Sequence, residues 1–271
     1  RESNLPAVFF MEWPARGTVL RMDIDPADIK HLYRDKYAGD THADMREDLI
    51  RLQSGEPLAY VIGWIPFLGL SLRLDSHPLI PRPETEWWTE ALIAHCKEKY
   101  ADVKISVLDL CAGSGAIGLS VLQAVDTATV SFAELSPVHT ALIAMNLDEN
   151  KLDKARATIR SGDLFAPFQN ERFTIIATNP PYIPEGRELD PSVMHYEPHE
   201  ALFAGSDGLS IIRRIVQEAP DHLMPGGELW MECDTTNAEQ AGARMRERGF
   251  SSVEIRNDHY GRPRIVVGYF S

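Results

Sequence analysis

From residue 105 onward the chain alternates short apolar runs with amphipathic stretches, at a spacing that few architectures accommodate. Runs at 105–110, 129–133, 155–160 and 173–177 read as strands, with helical patterns at 116–125 and 137–149. Strands separated by whole helices cannot pair as tight hairpins. The connections must cross over, so the sheet is predicted to be mainly parallel, with helices packed on it. A helix at 209–219, a turn at Pro225-Gly226-Gly227, a strand at 228–232 and a helix at 237–248 continue the pattern after an irregular run reaching about Glu200. The final β-like runs, 252–255 and 264–269, are joined only through 257–263 and predict an antiparallel pair at one sheet edge. The prediction is an α/β, Rossmann-like fold.

Upstream the character differs. Residues 1–55 read as polar helices, with Asp25-Pro26-Ala27-Asp28 a helix start and Gly39-Asp40-Thr41 a break before a helix ending near Gln53. Strand-like alternation around glycines at 57–63 and 67–74 predicts a β-hairpin. Pro78, Pro81 and Pro83 then make a stiff boundary, leading into Glu84-Thr85-Glu86, an acidic first helical turn. Three parts are expected: a helical domain 1–55, a hairpin linker 56–80 and a large domain 81–271.

The 271 residues are 44% hydrophobic, sufficient for a proper core, and carry a net charge of −13. That charge repels a phosphate backbone and suits a basic protein partner, so no direct nucleic-acid binding is expected. Cys96, Cys111 and Cys233 form no C-x-x-C pair, which favours a reducing compartment without disulfides. The apolar run at 5–10 is too short for a signal segment, and no later run is long enough to span a membrane. A cytoplasmic monomer is expected, with the mitochondrial matrix kept open because the first residue is Arg1. His195 and His199 have metal-pair spacing, but Pro198 opposes a helix between them and no third ligand is evident, so no metal is expected.

Two stretches carry chemistry. Leu108 to Gly118 is a strand running into a glycine-rich turn and then a helix, and Gly113-x-Gly115-x-x-Gly118 satisfies the nucleotide fingerprint. Glu134 stands at the end of the next strand, placed to accept from both ribose hydroxyls, and Asp163 follows the third strand, placed to reach an adenine edge. The fingerprint alone fits a dinucleotide or S-adenosylmethionine.

The second stretch is Asn179-Pro180-Pro181-Tyr182, which closes the strand at 173–177. Two prolines fix the backbone and contribute no N–H, so Asn179 Oδ1 and the Pro180 carbonyl form an acceptor pair for a planar –NH2 group, with the Tyr182 ring against its face. An amino-group holder beside the cofactor crevice favours the methyl donor over the dinucleotide. Orientation of the nitrogen and preorganised acceptors would then drive methyl transfer.

These residues resemble the HemK/PrmC family of protein-(glutamine-N5) methyltransferases, over nearly the whole length. The matching parts are Gly55 to Tyr60, Leu79-Ile80-Pro81-Arg82-Pro83-Glu84-Thr85-Glu86, the loop from Asp109 to Gly115, Asn179-Pro180-Pro181-Tyr182 and Tyr196-Glu197-Pro198. The resemblance implies a seven-stranded class I methyltransferase domain with a helical N-terminal substrate-recognition domain and a β-hairpin linker. It implies the cofactor S-adenosyl-L-methionine, and as substrate the glutamine of the Gly-Gly-Gln loop of class-1 peptide chain release factors. By it Cys111, Ala112, Gly113, Ser114, Gly115, Glu134 and Leu164 carry over as cofactor contacts, with Asn179 expected to touch the cofactor as well, and Asn179 to Tyr182 as the glutamine site. Glu197 is expected either to line the substrate pocket or to cap a turn, and Trp87 and Trp88 to pack rather than stack on a ligand. Cys111 stands where the family often has glycine, and Leu164 where it is often aromatic. Asn-Pro-Pro-Tyr alone is also similar to adenine-N6 methyltransferases of DNA or RNA, the alternative reading, and a cofactor-binding protein without catalysis is the third.

Overall fold

The computed structural model describes residues 24–271; the predicted helical character of residues 1–23 lies outside the described residues. By internal contacts the chain divides into two compact units, the first ending at Ile62 and the second running from Gly63 to Ser271.

In the first unit, helix α1 (Pro26–Asp35) begins where the sequence signals it. The Asp25 side chain accepts from Ala27 N, and Pro26 occupies the first turn, where no N–H is needed. Helix α2 (Arg46–Gln53) and the short α3 (Leu58–Ile62) pack with α1 around Leu32, Leu49 and Val61. Asp48 is buried between them, and Lys36 Nζ and Tyr37 Oη donate to its carboxylate at 2.9 and 2.6 Å. The strand expected across 57–63 is therefore corrected to a helix. Tyr60 N and Val61 N both donate to the Pro57 carbonyl, and in a run this short an apolar stretch fits either periodicity.

The second unit opens with the hairpin, which is shorter than predicted: β1 (Trp64–Phe67) pairs antiparallel with β2 (Leu70–Arg73). Leu68 and Gly69 both have positive φ, 46° and 83°, the conformation of a tight two-residue hairpin turn. Helix α4 (Pro83–Lys99) follows the proline-rich segment. Then come β3 (Ile105–Leu110), α5 (Ala116–Ala124), β4 (Ala128–Glu134), α6 (Pro137–Glu149), β5 (Ala157–Ser161) and β6 (Phe173–Thr178). The expected irregular run after β6 contains two short helices, α7 (Pro191–Tyr196) and α8 (His199–Leu202), the first capped by Asp190. They are followed by α9 (Ser210–Glu218), β7 (Leu223–Glu232), α10 (Ala238–Glu247), β8 (Ser252–Asn257) and β9 (Pro263–Tyr269). The predicted turn at 225–227 is a bulge inside β7, where the register jumps from Phe173↔Leu223 to Ile175↔Glu228.

The strands form one seven-stranded sheet in the order β5-β4-β3-β6-β7-β9-β8, parallel from β5 to β7 and closed by the antiparallel β9 and β8. Alternate residues serve opposite faces: Val107, Ile175 and Ala177 join the core containing Trp88, Leu119 and Phe132, whereas Leu108, Leu110 and Ile176 join that containing Ile212, Leu229 and Met245. Strand order reverses between β3 and β6, so a crevice opens beyond their carboxyl ends. The hairpin is tied to α6 by reciprocal hydrogen bonds between Asn150 and the Ser71 backbone, both at 2.9 Å.

Glu228 is fully buried at the start of the regular part of β7. Burial raises its pKa, but hydrogen bonds from His95, Lys99 and Trp230 outweigh that effect and hold it at about 2. A depressed carboxylate pKa stabilises the fold above the unfolded value and loses that contribution as pH falls through the folded one. Glu228→Gln is therefore expected to lower stability at neutral pH and to flatten the loss of stability between the ordinary value of 4.5 and about 2, as read by chemical denaturation across pH.

Candidate active site

Two loops leave the sheet next to each other. Leu110, the last residue of β3, lies opposite Thr178, the last of β6, and the Thr178 hydroxyl donates to the Leu110 carbonyl at 2.7 Å. The loops they feed, starting at Cys111 and Asn179, border an open cleft of about 1030 Å³ counted out to solvent. Its lining includes Cys111, Ala112, Gly113, Ser114, Glu134, Asp163, Leu164, Asn179 and Pro181, joined by Pro81, Thr85, His139, Pro198 and Ile211.

The first loop turns through three consecutive or alternate residues with positive φ: Cys111 at 60°, Gly113 at 55° and Gly115 at 83°. Glycine meets this demand without strain, whereas Cys111 holds a positive φ at the cost a side chain brings. Gly115 shapes the turn as the residue before α5 and does not line the cleft. Gly118 permits the close helix–strand approach: a Cβ there would sit 2.4 Å from Phe132 and 2.9 Å from Asp109 Oδ2. Through that gap Gly118 N donates to Asp109 Oδ2 at 2.8 Å, securing the start of α5 against β3. Burial pushes the Cys111 thiol up to about 12, which favours the neutral thiol over the nucleophilic thiolate.

Glu134, nearly buried at the end of β4, accepts from Gly113 N at 2.8 Å through Oε2 and from Ser136 N at 2.9 Å through Oε1. Each carboxylate oxygen carries more than one acceptor position, so both remain able to accept from a diol in the cleft. Leu164 is buried with φ of 45°, and Asp163, half exposed, is paired with Arg214 of α9 at 2.8 Å. The loop is held from behind by Asn146, fully buried, whose Nδ2 donates to Ser114 O at 3.0 Å and whose Oδ1 accepts from Arg73 N at 2.7 Å. An acidic diol acceptor, close-approach glycines and an apolar floor of Ile117, Leu164 and Ile211 fit the nucleoside of S-adenosylmethionine.

At the second loop, Asn179 Nδ2 donates to Thr85 Oγ1 at 3.1 Å. Its Oδ1 and the Pro180 carbonyl accept no hydrogen bond from the described residues. Pro180 is buried and Tyr182 partly buried, and neither lines the cleft. The Tyr182 hydroxyl donates at 3.1 Å to Oε1 of the buried Glu232, while its carbonyl accepts from Asn237 Nδ2 at 2.9 Å. Gly208 closes in behind, with room for no side chain: a Cβ would lie 2.3 Å from Tyr182 O. Glu197 does not line the cleft either. Both its oxygens are taken, by Ile80 N at 3.2 Å and Arg82 Nη2 at 2.6 Å, so it straps the proline-rich segment to the α7–α8 corner while its neighbour Pro198 faces the cleft. Trp88 is buried and donates to Glu232, Trp87 packs on the core, and neither reaches the cleft. His195 and His199 sit on separate helices, His195 bonded to Pro191 O and His199 stacked on Phe203.

Thr85, Asn146, Asn237 and Glu232 were not foreseen as site residues. The only available signal was the position of Thr85 within the Pro81 to Glu86 match.

Fold and cleft together define an S-adenosylmethionine-dependent class I methyltransferase. Residues 88–204 match the methyltransferase small domain family. The release factor glutamine methyltransferase of Lactococcus lactis is 33% identical over 239 residues, spanning 87% of this chain and 86% of that protein. Those of Bordetella pertussis and Geobacter sulfurreducens are 34% identical over 94% of this chain and 89% of theirs, and 37% identical over 79% and 73%. The chain belongs to the release factor glutamine methyltransferase family. Solved structures agree on the fold. A Pyrococcus furiosus methyltransferase aligns with TM-score 0.54 and 15% identity over 83% of this chain and 98% of its own. A Thermus thermophilus 16S rRNA N2 methyltransferase, solved in complex with AdoMet and guanosine, aligns with TM-score 0.55 and 18% identity over 77% of this chain and 50% of its own.

Two substitutions test this account of the loop. Gly118→Ala is expected to lower stability by about 1–3 kcal/mol through overpacking against Phe132, read as a shift of the denaturation midpoint at unchanged slope. Cys111→Gly should leave stability within about 1 kcal/mol of the parent and retain cofactor binding by calorimetry, because relief of the left-handed strain offsets the added chain entropy.

Proposed function

We propose that this enzyme transfers the methyl group of S-adenosylmethionine to the side-chain amide nitrogen of the glutamine in the Gly-Gly-Gln loop of a class-1 peptide chain release factor. The observation that carries the reading is the state of Asn179. Its amide is anchored by nitrogen to Thr85, its oxygen is left as an acceptor, and it lines the same cleft as the cofactor loop.

An amide nitrogen is a weak nucleophile because its lone pair is delocalised. Asn179 Oδ1, at the cleft, accepts one of its hydrogens, and the Pro180 carbonyl, set behind the lining and occupied by no donor of the described residues, is the second acceptor; together they fix the direction of the lone pair and offset the positive charge that grows on nitrogen as the bond to carbon forms. Pro181 borders the substrate, and Tyr182 anchors the far end of the clamp through its hydroxyl. Glu134 accepts from the ribose, the turn from Cys111 to Gly115 brings backbone close to the cofactor, and Asp163 and Leu164 flank the base. When bound, S-adenosylmethionine supplies the electrophilic methyl carbon, and the electron pair of its carbon–sulfur bond would leave on sulfur as a neutral thioether. After transfer the nitrogen loses one proton to solvent, and the neutral amide is restored. Arg82 and Glu197 hold the segment that carries Pro81, which faces the cleft. The helical N-terminal unit, in this reading, recognises the release factor, and the protein works as a cytoplasmic monomer.

The test is incubation with labelled S-adenosylmethionine and a class-1 release factor, followed by peptide mapping. One methyl on the Gly-Gly-Gln glutamine is expected; label on added DNA or RNA, with none on the factor, would favour adenine methylation. Asn179→Ala is expected to reduce kcat by about 10²-fold or more while leaving cofactor affinity within about threefold, since it removes orientation of the nucleophile while Glu134, Asp163 and Leu164 remain to hold the nucleoside.

A further inference from the structure

The amide of Asn179 can face the cleft either oxygen first or nitrogen first, and only one of these serves a group that must donate two hydrogens. What fixes the choice lies outside the Asn-Pro-Pro-Tyr stretch. Glu232 is fully enclosed, and three donors converge on it: Trp88 Nε1 and Thr85 Oγ1 at 2.7 Å on Oε2, and Tyr182 Oη at 3.1 Å on Oε1. The Trp88 indole can only donate, and with Glu232 as the carboxylate both hydrogen bonds at Oε2 run toward that oxygen. Thr85 has a single hydroxyl hydrogen and directs it to the same oxygen. Toward Asn179, 3.1 Å away, Thr85 therefore offers only a lone pair, and Asn179 must answer with Nδ2. Its Oδ1 is turned away from Thr85 as an acceptor.

We propose that Thr85 is a positioning residue for methyl transfer, and that Glu232, acting through it, selects which end of the Asn179 amide meets the substrate. The inference rests on the reading that Asn179 holds the target amide. With Thr85 unable to accept, the Asn179 amide is free to rotate half a turn, and its –NH2 then opposes the substrate –NH2, donor against donor. Thr85 borders the cleft itself, but its hydroxyl is engaged by Glu232 and Asn179, so its loss is a loss of orientation.

The experiment compares Thr85→Val, Thr85→Ala, Thr85→Ser and Asn179→Ala in the full chain, with a class-1 release factor as substrate and cofactor binding measured by calorimetry. Thr85→Val, which keeps shape but removes the lone pair, is expected to lower kcat by about 10- to 100-fold, with KM for the factor and Kd for S-adenosylmethionine within about threefold. Thr85→Ala should do the same without any demand for space, and Thr85→Ser should restore kcat to within about threefold of the parent. A folded, cofactor-binding Thr85→Val or Thr85→Ala enzyme with parental kcat overturns the role of Thr85, as does a kcat loss that Thr85→Ser fails to rescue. Asn179→Ala separates the two claims: if it is inactive while Thr85→Val is fully active, only the positioning role falls, and if it is itself active, the clamp falls and the proposal with it.

Discussion

The pairing of β3 with β6 is the constraint on which this molecule depends. These are the strands at which the order of the sheet reverses, and Leu110 stands opposite Thr178 at their ends. One strand delivers the glycine turn and the other the loop from Asn179 to Tyr182. Because both emerge from hydrogen-bonded neighbours, the distance between the two loops is set by the spacing of adjacent strands, with no dependence on a flexible connection. The next strand out, β4, brings Glu134 to the same edge, where the backbone N–H groups of Gly113 and Ser136 aim its carboxylate.

Buried carboxylates do the fastening around this edge. Glu134 joins the Gly113 turn to the start of α6, Glu197 joins Ile80 and Arg82 to the α7–α8 corner, and Glu232 joins Thr85 and Trp88 of α4 to Tyr182. A carboxylate out of water is costly unless several donors surround it, and each of these has two or three. Glu134 prolongs the β3–β4 ladder by one more tie, whereas Glu197, and Glu232 with Thr85 and Trp88, span segments that no strand ladder connects. Two of the six non-glycine residues with positive φ among the described residues, Cys111 and Leu164, line the cleft.

Much of this was legible in consecutive residues. The helix–strand alternation predicted the parallel sheet, its antiparallel closing pair and the crevice, and the glycine turn, Glu134, Asp163 and Asn179 were all found where the cleft is. The misreadings have local causes. At 57–63 five or six apolar residues were compatible with strand or helix, and contacts with Leu32 and Leu49 decided for helix. At Tyr182 and Glu197 the motif named residues near the cleft, but the hydroxyl of one and the carboxylate of the other turn inward to protein partners.

By itself the amino-acid order determined the architecture and the two chemical loops, because hydrophobic period, glycine's tolerance of positive φ and proline's missing donor act between near neighbours along the chain. Only tertiary structure decided which buried polar groups meet. Thr85 and Glu232 are 147 residues apart, and Arg82 and Glu197 are 115 apart. Nothing in the local sequence around either member of such a pair specifies its partner. The match arises when packed apolar faces bring the two together and the cost of leaving an unpaired polar atom in the interior selects that arrangement.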